Sequence, residues 1–232
     1  MAFEILNPNR NRKVKGVLFD MDGLVLDTEK LYSRFWMEAA HELGYPMTFE
    51  QALGMRSLNK KFSTAYLETL FGPGIDYDTM RAVRIRRMDA WIDVHGVEPK
   101  PGIYELLDYL HKEKIPCAIT TSSPSARIKA YLTPQKLYDQ FDAICSGYEV
   151  EHGKPEPDIY LYGASKIQTA PKDCLALEDS PAGIESGYRA GCMAVMIPDQ
   201  DQPSSETKKL CFAKADSLKD IIDIIKKLNF EN

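Results

Sequence analysis

The sequence predicts an α/β fold: a doubly wound, mainly parallel sheet with helices on both faces, interrupted by an inserted helical unit. Three observations carry this prediction. The apolar run Val17-Leu18-Phe19 drives straight into Asp20-Met21-Asp22-Gly23, a buried-strand pattern that ends abruptly in charge. Downstream of residue 95, strand-like and helix-like segments alternate, as they do where crossover helices cover a parallel sheet. Between residues 28 and 95 only helical periods occur. The expected division is a core of residues 1–27 and 96–232, with 28–95 inserted.

Taken in order, Val17 to Phe19 form the first expected strand, with Asp20 at its carboxyl end. The inserted unit shows apolar residues at helical spacing in three stretches: Leu31, Phe35, Trp36, Ala39 and Leu43; then Phe62, Tyr66, Leu67 and Leu70; then Met80, Val83, Met88 and Trp91. Gly44-Tyr45-Pro46 and Gly72-Pro73-Gly74 separate them. The chain crosses between units near 24–28 and 94–100, and Gly96, Pro99, Pro101 and Gly102 mark the second crossing. Gly102 to Lys114 reads as a helix with Leu106, Leu107 and Leu110 as its stripe. Pro116 to Thr120 reads as a strand, with proline tolerated at its first position. A helix after Pro124 and a short strand from Phe141 to Cys145 follow. Pro157 to Lys166 is helical, proline fitting the first turn. Cys174 to Leu177 is a strand, and Pro181 to Ala190 a helix ended by Gly191. Cys192 to Ile197 forms the next strand and Asp216 to Leu228 the closing helix.

Composition narrows the function. With 232 residues, 44% of them hydrophobic, the chain can bury a substantial core. A net charge of -5 argues against a nucleic-acid surface, which is usually strongly basic. No window approaches the roughly 18 apolar residues of a membrane span. Asn7 to Lys13 is polar where the apolar core of a signal peptide belongs, so a cytoplasmic protein is expected. Cys117, Cys145, Cys174, Cys192 and Cys211 are odd in number, widely spaced and lack C-x-x-C. They read as buried small hydrophobes in a reducing compartment, ahead of metal thiolates or a redox pair.

The chemistry is concentrated at strand ends. In an open α/β sheet, ligands bind at the carboxyl ends of the strands. Two carboxylates there, Asp20 and Asp22, repel each other and lose solvation, so positive charge is expected between them. A divalent metal and a phosphorylated substrate are the natural candidates. Glu178-Asp179, closing the apolar strand from Cys174, repeats the situation.

Asp20-Met21-Asp22-Gly23 with Asp27-Thr28 resembles the first motif of the haloacid dehalogenase superfamily, and more narrowly its β-phosphoglucomutase-like phosphatases. Thr120-Thr121-Ser122-Ser123 is similar to the second motif, Lys154 in His152-Gly153-Lys154-Pro155 to the third, and Glu178-Asp179 to the fourth. The matches run in the family's order along essentially the whole chain. The resemblance implies a Rossmann-like core with a helical C1 cap. It also implies Asp20 as nucleophile, forming an aspartyl phosphate, and Asp22 as the acid and base serving the leaving oxygen and water. Thr121 and the backbone of Ser122 are implied to hold the phosphate, and Lys154 to bridge it to Asp20. Two unit charges about 4 Å apart interact by roughly 4 kcal/mol at an effective dielectric near 20, so the lysine matters. Mg²⁺ is the implied cofactor, ligated by Asp20, the carbonyl of Asp22 and Asp179, with Glu178 helping directly or through water. Asp20, Glu178, Asp179 and a phosphate dianion total about -5 against +1 from Lys154, which calls for a divalent cation.

Specificity is expected from the cap. Gly54-Met55-Arg56-Ser57 matches the family's specificity loop, with Arg56 available for a substrate hydroxyl or distal phosphate. Arg81, Arg84, Arg86 and Arg87 read chiefly as a solvated helix face, with one of them reaching a cleft as the alternative. The β-phosphoglucomutases carry a histidine four residues after the threonine matching Thr28; here Tyr32 stands there. A phosphatase of small sugar or nucleoside monophosphates is therefore favoured, a β-phosphoglucomutase-type mutase being the alternative. A dead, merely binding homologue is disfavoured because Asp20, Asp22, Lys154 and Asp179 are all kept. The expected partner is a small phosphorylated metabolite, with no nucleic acid polymer or membrane, acting on a monomer.

Overall fold

In the computed structural model, which describes residues 3–10, 12–55, 60–199 and 202–230, the apolar run before Asp20 is an interior strand of a seven-stranded sheet. A short strand β1 (Phe3–Ile5) precedes it, and β2 itself spans Gly16–Phe19 with all four residues buried. Full burial on both faces is what a continuous apolar run, rather than an alternating one, encodes.

Residues 27–97 make one compact unit, and 1–26 with 98–232 the other. Among its described residues the first unit contains only helices: α1 (Glu29–Glu42), α2 (Phe49–Leu53), α3 (Lys60–Phe71) and α4 (Tyr77–His95). Its own core is built by Trp36, Ala39, Met47, Leu67, Met80 and Val83, with the Trp36 and Tyr77 rings 5.7 Å apart. Thr48 starts α2 with a reciprocal capping box to Gln51, and the Asp76 carboxylate accepts from the Thr79 N–H at the start of α4.

The second unit alternates. Helix α5 (Ile103–Glu113) buries Ile103, Leu106, Leu107 and Leu110, each contributing roughly 1.5–3 kcal/mol of hydrophobic stabilisation. Then come β3 (Cys117–Thr121), α6 (Ser125–Leu132), β4 (Ala143–Ser146), α7 (Asp158–Lys166), β5 (Cys174–Glu178), α8 (Pro181–Arg189), β6 (Met193–Met196), α9 (Ser205–Leu210), β7 (Ala213–Ala215) and α10 (Asp220–Phe230). The sheet order is β1-β7-β6-β5-β2-β3-β4. Every pairing is parallel except β1 with β7.

Register places the chemistry. Phe19 pairs with Ile119 on one side and Leu177 on the other. Asp20, Thr120-Thr121 and Glu178 therefore emerge together at the carboxyl ends of three adjacent strands.

The sequence reading lacks β1, β7, α9 and the five-residue helix α2, and it starts the closing helix four residues early. Strands β1 and β7 are three residues each, too short for a period to show, and helix α9 has six residues. The closing helix starts at Asp220, not Asp216, because β7 ends at Ala215 and the chain must turn; Ser217 Oγ donates to the Asp220 carboxylate at 2.8 Å. All five cysteines are buried and free. Burial raises the Cys117 and Cys174 thiols to about 12, as befits packing residues. No described helix is long and apolar enough to cross a membrane.

Candidate active site

The turn after β2 sets the first two acids apart. The Asp20 N–H still donates to the Leu177 carbonyl at 3.1 Å, so its backbone belongs to the sheet. Gly23, at φ +82°, reverses the chain in a conformation that side chains resist. The N–H groups of Val25 and Leu26 both donate to the Met21 carbonyl at 3.0 Å, closing the turn. The Asp22 carboxylate accepts a hydrogen bond from Ser123 Oγ at 2.9 Å. Ser123 is itself held twice: its N–H donates to Thr121 Oγ1 at 3.1 Å, and its carbonyl accepts from Ser146 Oγ at 2.7 Å. Thr121 is buried, and Ser122 is exposed beside it.

Lys154 lies in the loop before α7, its peptide bond to Pro155 cis. Its ammonium donates to Asp20 Oδ1 and to Glu178 Oε1, each at 2.5 Å. The three side chains are 8%, 10% and 1% exposed, so water screens these contacts little. Glu178 is fully committed: Oε1 also accepts from the Tyr160 hydroxyl at 2.6 Å, and Oε2 from Ser180 Oγ at 3.1 Å. Ser180 simultaneously caps α8 by accepting from the Gly183 N–H at 3.1 Å. Gly183 is needed there, because a Cβ at this position would fall 1.8 Å from the Glu178 carboxyl carbon.

Burial pushes the Asp20 carboxyl up, to about 8; Lys154 opposes the rise, and Glu178 and Asp22 add to it. Burial works against the charge on Lys154 as well, but Asp20 and Glu178 outweigh it and hold the ammonium above the usual lysine range. Lys154 is thus firmly protonated, and one ammonium leaves the acids incompletely neutralised. Asp20, Glu178 and Asp179 offer carboxylate oxygens that lie within 4.8 Å of one another. An all-oxygen, carboxylate-rich donor set with surplus negative charge fits a hard divalent cation. The Asp22 carboxylate is not in that cluster, being turned to Ser123.

Of the residues singled out in the sequence, Asp20, Asp22, Thr121, Ser122, Lys154, Glu178 and Asp179 all lie on the turns and strand ends of the sheet unit. Gly54 lies in the helical unit, ending α2; a Cβ there would meet the Tyr66 hydroxyl at 2.3 Å, so its smallness serves packing. Arg56 lies outside the described residues. The arginines of α4 divide. Arg86 and Arg87 pair with Glu42, and Arg81 is exposed, as a solvated face requires. Arg84 departs from that reading: it is 5% exposed, its guanidinium 4.6 Å from the Tyr32 ring and 5.4 Å from the Trp36 ring.

Sequence reasoning missed Ser123, Tyr160, Ser180 and Gly183 as parts of the site. Ser123 stood inside the hydroxyl-rich run and could have been flagged by it. Tyr160 sits at an apolar helical position and carries no such signal.

Comparison with known proteins identifies the family. Residues 17–197 match the model of the haloacid dehalogenase-like hydrolase family. The Drosophila melanogaster protein named "Probable pseudouridine-5'-phosphatase" is 33% identical over 213 residues, covering 86% of this chain and 90% of that protein. Hexitol phosphatase A of Escherichia coli (strain K12) is 32% identical over 187 residues, covering 80% and 83%. In shape, the chain is similar to a HAD family hydrolase from Deinococcus radiodurans R1, crystallised with bound phosphate and sodium. The TM-score is 0.76 at 24% identity, over 93% of this chain and 96% of that one. The match over residues 17–197 and the 33% identical relative show that the chain belongs to the haloacid dehalogenase-like hydrolase family.

Proposed function

We propose that this hydrolase is a Mg²⁺-dependent phosphatase of small phosphorylated metabolites, sugar or nucleoside monophosphates, acting through an aspartyl phosphate. The observation that carries the reading is the Lys154 ammonium, 2.5 Å from both Asp20 and Glu178, beside the acid cluster completed by Asp179. Similarity to relatives named as phosphatases supports the same class.

Asp20 attacks phosphorus through a carboxylate oxygen while the ester P–O bond breaks, and Asp22 gives its proton to the departing alkoxide. Water then attacks the phosphorus of the aspartyl phosphate. Asp22 takes a proton from that water, the Asp20–phosphorus bond breaks, and inorganic phosphate leaves with Asp20 restored. Ser123 holds Asp22 on the side of β3, while Lys154 grips Asp20. The two acids thus sit in different surroundings, which is what opposite protonation roles require. The Thr121 hydroxyl and the Ser122 backbone N–H bind the phosphate oxygens. Asp20, Asp179 and the Asp22 carbonyl would hold Mg²⁺, with Glu178 contributing through water because its oxygens already serve four donors. When bound, the cation supplies charge that draws the phosphate in and keeps Asp20 ionised. The helical unit, 28–95, serves as the cap that selects the substrate, Gly54 and Arg56 marking its loop. The five buried thiols suit a reducing cytoplasm.

The test is Asp20→Asn in a phosphate-release assay over a panel of sugar and nucleotide monophosphates with Mg²⁺. Turnover should vanish for every substrate the wild type accepts, and wild-type hydrolysis by the variant sinks the covalent mechanism. In the same panel, β-glucose 1-phosphate plus catalytic bisphosphate should yield free phosphate; faster accumulation of glucose 6-phosphate would make the enzyme a mutase.

A further inference from the structure

We propose that Tyr160 is a positioning residue for phosphoryl transfer: its buried hydroxyl fixes the Glu178 carboxylate, and through it the Lys154 ammonium, against Asp20. The inference rests on Asp20 as nucleophile and adds a group with no part in the mechanism above.

Tyr160 is completely buried in α7, where packing alone asks only for an aromatic ring. A phenol hydroxyl taken out of water costs free energy unless it is used. Here it is used on one atom, Glu178 Oε1, at 2.6 Å. That atom is also the second acceptor of Lys154, whose ammonium lies 5.2 Å from the centre of the Tyr160 ring. The helix is brought close enough for this by Gly163, one turn further along the same face; a Cβ there would come 2.4 Å from Thr120 Cγ2. The Thr120 hydroxyl donates its own proton to the Phe19 carbonyl at 3.1 Å, which leaves Glu178 as the acceptor for the phenol. A chain of hydrogen bonds therefore connects Tyr160, Glu178 Oε1 and Lys154. It ends on the Asp20 carboxylate.

The consequence concerns balance. Lys154 is long and flexible, and two acids compete for its protons. A donor on Glu178 Oε1 withdraws part of that oxygen's negative charge and pins its position. More of the lysine's interaction then falls on Asp20 Oδ1, leaving the other Asp20 oxygen to attack. Removing the hydroxyl should slow the chemical step and leave substrate binding nearly untouched.

The experiment compares wild type, Tyr160→Phe, Glu178→Leu and the double variant, leucine being unable to accept the phenol proton. Steady-state release of phosphate from p-nitrophenyl phosphate at saturating Mg²⁺ should show kcat lowered about tenfold by Tyr160→Phe, with KM within twofold. Urea midpoints, which need no turnover, should fall on Tyr160→Phe in the wild-type background but not in the Glu178→Leu background. An unchanged kcat, a loss confined to KM, or equal midpoint losses in both backgrounds would overturn the proposal, the last by showing a packing role. Such a result together with an inactive Asp20→Asn removes only Tyr160's role; an active Asp20→Asn removes the nucleophile itself.

Discussion

Replacing Lys154 with methionine is the sharpest perturbation of this site, because it deletes one charge and keeps nearly all the volume. The ammonium touches two carboxylates at 2.5 Å and its side chain is 8% exposed, so solvent does little to weaken the effect. One charge pair at about 4 Å and an effective dielectric near 20 is worth roughly 4 kcal/mol. If that interaction is realised with the transferring phosphate, kcat/KM should fall about a thousandfold. Folding suffers too, since removing one partner from a buried ion pair costs roughly 3–5 kcal/mol. The measurement is therefore made at 20 °C with Mg²⁺ present, pairing phosphate release with calorimetric Mg²⁺ titration. Lys154→Met should lose turnover yet bind Mg²⁺ at least as tightly as wild type, because a competing positive charge has gone. That pairing separates a failed catalyst from an unfolded one. A variant within tenfold of wild-type kcat/KM would refute the electrostatic reading of the site.

Two further outcomes follow from the same geometry. Gly183→Ala drives a methyl into the Glu178 carboxylate, so activity should drop more than about tenfold and the melting temperature should fall, whereas Gly153→Ala, with nothing within 4 Å of its added carbon, should leave the melting temperature unchanged; equal melting temperatures for both variants would show that α8 does not press on Glu178. Burial raises Asp20 from 3.8 to about 8, so the folded protein without metal holds a proton across that window, this group's contribution to stability declines as pH rises through it, and Mg²⁺ must displace the proton; apparent Mg²⁺ affinity should strengthen by up to about tenfold per unit from pH 6 to 8 and then level off, and a flat profile would contradict it.

Much of this was legible one residue at a time. Val17 to Phe19 and Cys174 to Leu177 are apolar runs that stop at carboxylates, and each strand ends where its acids begin. Ser180-Pro181 announces α8 through a cap and a first-turn proline. What could not be read is contact between distant positions. Nothing in Ala213-Lys214-Ala215 states that it pairs in parallel with β6 and antiparallel with β1. Arg84 has the same local look as Arg86, yet one is stacked on aromatic rings and the other faces water beside Glu42.

The sequence by itself determined the alternation, the position of the helical insertion and the acids, lysine and hydroxyls at the strand ends, because these are written in short-range period and punctuation. Only the tertiary structure decided that Glu178 is claimed by Lys154, Tyr160 and Ser180 together, that Ser123 grips Asp22, and that Gly183 must lack a side chain. Hydrogen-bond partners are chosen by which strands lie side by side and how closely helices approach them. Those distances are set by the packing of the whole sheet, which no local stretch of chain encodes.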